Sequence, residues 1–135
     1  MSERRDRLKS LKRIKAVQKQ RHRMEEWRMV RARAQEADLR AAQEAVLDAL
    51  NAEHPLHGMF LAGLGNRVGA LGRAIEEAGL RSARQGALAL EQARRLKVAE
   101  KFVREARREV EEEERREAFF DYLDQFAPGD GASLT

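Results

Sequence analysis

The stretch LAGLGNRVGALGRAIEEAGLRSARQGALALEQARRLKVAEKFVREARREV, residues 61–110, decides the fold. Steps of three and four from Leu61 land on Leu64, Val68, Leu71, Ile75, Ala78, Ser82, Gln85, Ala89, Gln92, Leu96, Ala99, Val103, Ala106 and Val110, and twelve of these fifteen positions are apolar. Charged residues fall between them. A 3-4 spacing held over seven heptads specifies a helix whose apolar seam needs a partner helix. The seam is rich in Ala, which lets a partner backbone come close.

The partner lies in the first half of the chain. Leu8, Leu11, Ile14 and Val17 step by three, and Met24, Trp27, Val30, Ala34, Ala37, Ala41 and Ala45 then bring back the 3-4 rhythm, closed by Leu47 and Leu50. The later residues are taken as the inward face of the first helix, with Trp27 as a seam residue that could also meet a partner, whereas the step-by-three start drifts around the helix, so residues 1–20 are either poorly packed or turned toward something else. Between the halves, Pro55 and Gly58 interrupt the helical pattern. Proline lacks the amide donor and restricts His54 before it. The expected organisation is therefore an all-α, antiparallel coiled-coil hairpin over residues 1–126: helix 1 about 3–52, a turn at 53–58, helix 2 about 59–126. Residues 127–135, with Pro128, Gly129 and Gly131, are expected to be a disordered tail.

At 1.5 Å rise per residue the two arms would be roughly 75 and 100 Å long. A fold near residue 55 makes opposed residue numbers add to about 111, which sets Leu8 near Val103 and Trp27 near Arg84. Beyond about residue 110 the second helix then overhangs its partner. That overhang bears Glu111–Glu114 and the apolar Phe119, Phe120, Tyr122, Leu123 and Phe126. Burying a large apolar side chain is worth about 1.5–3 kcal/mol, so these five are expected to meet a partner or fold back.

Composition agrees with long helices. Charged residues make up 37% of the 135, apolar residues 42% and aromatics only 5%, which suits a thin seam rather than a thick core. No cysteine is present, so disulfides and thiolate metal sites are excluded and a reducing compartment fits. The first residues lack a signal peptide's apolar core and no run is apolar enough to span a membrane, so the expected location is cytoplasmic.

Charge is unevenly spread. Residues 1–23 hold ten Lys and Arg against Glu3 and Asp6, whereas residues 109–117 hold six Glu against Arg115 and Arg116. In the hairpin register the basic arm, including Arg13, Lys19 and Arg23, lies beside Arg94, Arg95, Lys97 and Lys101. Like charges side by side cost stability, which favours an anionic docking surface over an idle solvated face. An acidic protein surface fits better than nucleic acid, because there is little aromatic interleaving for base stacking. Anionic lipid would also suit the arm, and plain solvation of its charges would leave it without a partner.

Gly65, Gly72, Gly79 and Gly86 recur every seven residues in a stripe beside the seam. Each costs roughly 1 kcal/mol in a helix interior. The stripe serves the close approach of another helix or a supple region near the hairpin tip, or else reflects nothing beyond small-residue composition. His54 and His57 read as a chance pair in a loop rather than metal ligands. No nucleophile stands beside a base and no phosphate-binding loop is present, so the expectation is no enzyme, no cofactor and no small-molecule substrate.

The chain resembles the FliJ/YscO family of stalk proteins in type III secretion export. The resemblance lies in its length, the basic helix Arg4–Arg23, the break before Leu56-His57-Gly58-Met59-Phe60-Leu61, the stretch Arg94-Arg95-Leu96-Lys97-Val98-Ala99-Glu100-Lys101, and the Glu/Arg-rich helix running to Asp121. The glycines and the Glu111–Glu114 block depart from the family pattern. The resemblance implies a hairpin similar to the rotor stalk of rotary ATPases. It would insert into the export ATPase hexamer, help it assemble, touch the cytoplasmic domain of the export gate and, in some members, bind export chaperones. It would meet the inner membrane only peripherally, through the flagellar or injectisome apparatus. On that reading Arg13, Lys19, Arg23, Arg94, Arg95, Lys97 and Lys101 face the ATPase, and Phe119, Phe120 and Tyr122 are further partner-binding residues. A generic coiled-coil scaffold or chaperone is a competing reading, and a basic helical nucleic-acid-binding protein is another.

Overall fold

The computed structural model describes residues 2–52 and 57–133, with side chains described over 2–52 and 61–126. The chain is an all-α helical hairpin of two helices, α1 (Glu3–Asn51) and α2 (His57–Ser133). The expected turn at 53–58 falls mainly outside the described residues. Contacts divide the chain into two units: residues 1–19 with 94–135, and residues 20–93. Both helices contribute to both units.

In the first unit, α1 starts at a capped end. The Ser2 hydroxyl oxygen accepts from the amides of Arg4 at 3.2 Å and Arg5 at 3.5 Å, which satisfies donors that have no partner within the helix. Glu3 and Asp6 sit in the first turn, where carboxylates suit the positive end of the helix dipole. Leu8 and Leu11 turn toward α2, whose Ala99, Val103, Ala106 and Val110 are buried. The small seam residues on α2 let the helices come close, and Val103 and Ala106 are only 2% exposed.

In the second unit, α2 presents Leu64, Val68, Leu71, Ile75, Ala78, Ser82, Gln85, Ala89 and Gln92, each buried or half-buried. The seam read from the sequence is thus covered from Leu64 through Val110, and Leu61 alone stays exposed. The half-buried glycines Gly72 and Gly79 flank it. A Cβ built on Gly72 would lie 3.5 Å from Gln43, and one on Gly79 would lie 3.6 Å from Glu36. These are ordinary contacts, so close packing does not oblige glycine there.

The inward face of α1 differs from expectation. Ile14, Val17, Met24, Trp27 and Val30 are exposed, as are Ala34, Ala37, Ala41, Ala45 and Leu47. The face turned toward α2 instead runs Leu8, Leu11, Lys15, Gln18, His22, Glu25, Met29, Ala32, Glu36, Leu39, Gln43, Val46 and Leu50, every one half-buried or buried. That series keeps an unbroken 3-4 spacing, and the expected one does not. A helix against a straight seam must hold one stripe in register along its length, and the stripe that does so on α1 contains six polar residues.

The register is also displaced. Ser2 meets Glu113, Glu36 meets Gly79 and Gln43 meets Gly72, and each pair adds to 115 where the expected register adds to 111. The shift is about one helical turn. Which layers interlock sets the register, and the midpoint of the connecting loop does not. Pairing accordingly extends past residue 110. Arg5 reaches Glu117 at 3.4 Å and Glu114 at 3.8 Å, so the overhang begins after Glu117. At the far end, α2 continues as helix to Ser133, seven residues beyond the expected stop at Phe126.

Candidate protein-binding surfaces

Three surfaces follow from these placements. The first is basic and belongs to the first unit. Arg94, Lys97, Lys101, Arg104 and Arg108 follow one another at steps of three and four on α2, and all are exposed. They form one stripe on the outer face of the helix, opposite the seam. Arg95 is exposed too but lies off that stripe, and it interacts with other groups of the chain. On α1 the same unit exposes Arg13 and Lys19, with Lys15 half-buried on the seam itself. A lysine there keeps its ammonium in water by extending along its apolar stem. Six of the seven predicted basic site residues therefore belong to one unit. Arg23, exposed on α1, belongs to the other.

The second surface is the end of α2. Phe119, Phe120, Tyr122, Leu123 and Phe126 are all exposed, near 60% for Phe119 and Phe120. Phe119 and Phe120 ring centres lie 6.2 Å apart, and Tyr122 and Phe126 centres 4.7 Å apart. The expected fold-back does not occur. Spacing by four, three and four from Arg115 places Phe119, Tyr122 and Phe126 on one helix face. Residues 117–126 include Glu117, Asp121 and Asp124 and no Lys or Arg, so this end is acidic and aromatic together.

Sequence reading missed the third surface, which lies within the second unit. Trp27, 59% exposed, opens onto a groove of about 600 Å³ shared with Arg28, Arg31, Arg81, Arg84 and Leu88. Trp27 and Arg84 do line the same groove, as the expected register had it. The Arg31 guanidinium stands 4.9 Å from the centre of the Trp27 ring, within range of a cation–π attraction. Arg28 is held by Glu25 at 2.8 Å. No carboxylate lines the groove. The available signal was the pairing of Trp27 with arginines one turn on along α1 and on the facing stretch of α2. It was hidden by the assumption that Trp27 points inward.

Between these surfaces the seam is chemically weak. Gln18 Oε1, His22 Nδ1, Glu25 Oε2, Gln85 Oε1 and Gln92 Oε1 are buried without a hydrogen-bond partner. His22 does use its other nitrogen, 2.9 Å from Glu26. Unsatisfied buried polar atoms cost about 1–3 kcal/mol each when water is excluded.

Among the described residues no group of three or more His, Asp or Glu is placed to hold a metal ion. His54 and the side chain of His57 lie outside the described residues. No helix is long and apolar enough to cross a membrane, among the described residues. Comparison of the chain with protein-family models, with curated proteins and with solved structures finds no match.

Proposed function

We propose that this chain is a non-catalytic stalk and adaptor of a type III protein export apparatus, binding the export ATPase ring through its basic unit. The exposed stripe Arg94, Lys97, Lys101, Arg104 and Arg108 supports this reading most strongly. Five cations held in line on a rigid helix, with Arg13 and Lys19 exposed in the same unit, suit a partner that presents carboxylates along a channel wall. The resemblance to FliJ/YscO stalk proteins supplies the choice of partner, and adds the cytoplasmic domain of the export gate and escort chaperones as further contacts.

The test mixes the purified chain with an export ATPase and follows hexamer formation and ATP hydrolysis. Co-elution and stimulation are expected. Neither effect would leave a generic coiled-coil scaffold as the better description. A nucleic-acid binder is the second reading, since the same stripe would attract phosphates. Its affinity would fall steeply between low and physiological salt and would not depend on an ATPase.

A further inference from the structure

We propose that the acidic, aromatic end of α2, residues 118–126, docks into the Trp27 groove of a second copy of this chain. The two surfaces complement each other in both respects that govern helix docking. The groove offers an exposed indole and Leu88, surrounded by Arg28, Arg31, Arg81 and Arg84 with no acid among its lining. Arg81 and Arg84 hold no carboxylate partner among the described residues. The end of α2 offers Phe119, Tyr122 and Phe126 on one face, interspersed with Asp121 and Asp124. Aromatic anchors in a pocket rimmed by opposite charge are where binding energy concentrates, and arginines also stack on aromatic faces.

Other occupants fit less well. α2 is helical without a break from His57 to Ser133, and its partner helix begins at Glu3, with the Ser2 cap beside Glu113 and Arg5 reaching Glu117. Residues 118–126 therefore run on past α1 of the same chain, beyond the contact of Arg5 with Glu117, and do not turn back onto it. Two such ends packed on each other would set Asp121 and Asp124 against their own copies, a like-charge arrangement that repels. The groove's arginines relieve that repulsion. The end of one copy in the groove of another covers both surfaces. This inference does not depend on the export reading.

Trp27 is the sole tryptophan of the chain, which makes its fluorescence a direct reporter. Sedimentation of the full chain from low micromolar to hundreds of micromolar is expected to show association. Trp27 emission should shift to the blue over the same range. Y122A/F126A and R81E/R84E should each weaken association on the order of tenfold or more. Mixing R81E/R84E with D121K/D124K should restore it, because the altered groove of one and the altered end of the other then carry opposite charges, and the unaltered groove and end still match. Circular dichroism of each variant checks that the helices persist. A chain that stays monomeric throughout overturns the proposal, even if it captures an acidic aromatic peptide from another protein. Association that survives R81E/R84E but fails with Y122A/F126A overturns it too, in favour of contact between the two ends alone.

Discussion

The Ser2 hydroxyl donates a hydrogen bond to Glu113 at 2.6 Å while its oxygen accepts from the amides of Arg4 and Arg5. One side chain thereby closes the end of α1 and fastens it to α2 near the point where the pairing finishes. Ser2→Ala removes both roles. Loss of an N-cap costs about 1 kcal/mol, and the cross-helix bond adds to that. Amide hydrogen exchange should quicken over the first turn of α1 and leave Val46 and its neighbours unchanged. Uniform acceleration along the whole helix would refute this local role.

The glycine stripe yields a second prediction of opposite sign. A Cβ at Gly65 or Gly86 would have no heavy atom within 4 Å. Gly65→Ala and Gly86→Ala should therefore each stabilise the chain by about 1 kcal/mol, the helix-propensity difference alone. Gly72→Ala and Gly79→Ala meet Gln43 and Glu36 at van der Waals distance and should gain less. Urea denaturation measures all four. If Gly65→Ala or Gly86→Ala destabilised the free chain, the open space beside those glycines would have to be filled by something other than solvent.

The legibility of the fold in the sequence was uneven for a physical reason. α2 carries one apolar stripe, so its period alone named the buried positions from Leu64 to Val110. α1 carries two competing faces. Reading by hydrophobicity favours Ile14, Val17, Met24, Trp27 and Val30, which change their angular position as they advance. The face that packs, with Lys15, Gln18, His22 and Glu25, is less apolar but keeps its spacing. Geometry along the whole length decided between them. The exposure of Arg94, Lys97 and Lys101 was legible because they fall outward on any helix whose seam includes Leu96 and Ala99. The Trp27 groove was not legible, since it exists only if the other face of α1 is the one turned inward.

That competition makes the middle of the seam its weak part. Gln92 buries an oxygen that has no partner, on a seam otherwise built mostly from Leu, Val, Ile and Ala. Gln92→Leu should raise stability by about 1–2 kcal/mol, by removing the desolvated amide and adding apolar burial. A higher urea midpoint with unchanged slope is the expected result. A lower midpoint would show that the Gln92 amide is bonded in solution. Before substitution, exchange of backbone amides near His22 and Glu25 should be faster than near Val103 and Ala106, where the seam is closed by apolar residues.

Charge reversal along the α2 stripe separates binding from folding. Arg94, Lys97 and Lys101 are exposed on the face away from α1, and exposed charges contribute little to stability, about 0–1 kcal/mol per pair. Replacing all three by Glu should leave the melting temperature nearly unchanged, or raise it slightly by relieving repulsion with Arg104 and Arg108. The same triple variant should lose affinity for an export ATPase, and the wild-type affinity should fall as salt is added. Arg67, exposed on α2 in the other unit, provides the control: Arg67→Glu should leave that affinity intact. Equal losses from both variants would mean that net charge, and not the stripe, attracts the partner, and the basic unit would then have no special claim as the docking surface.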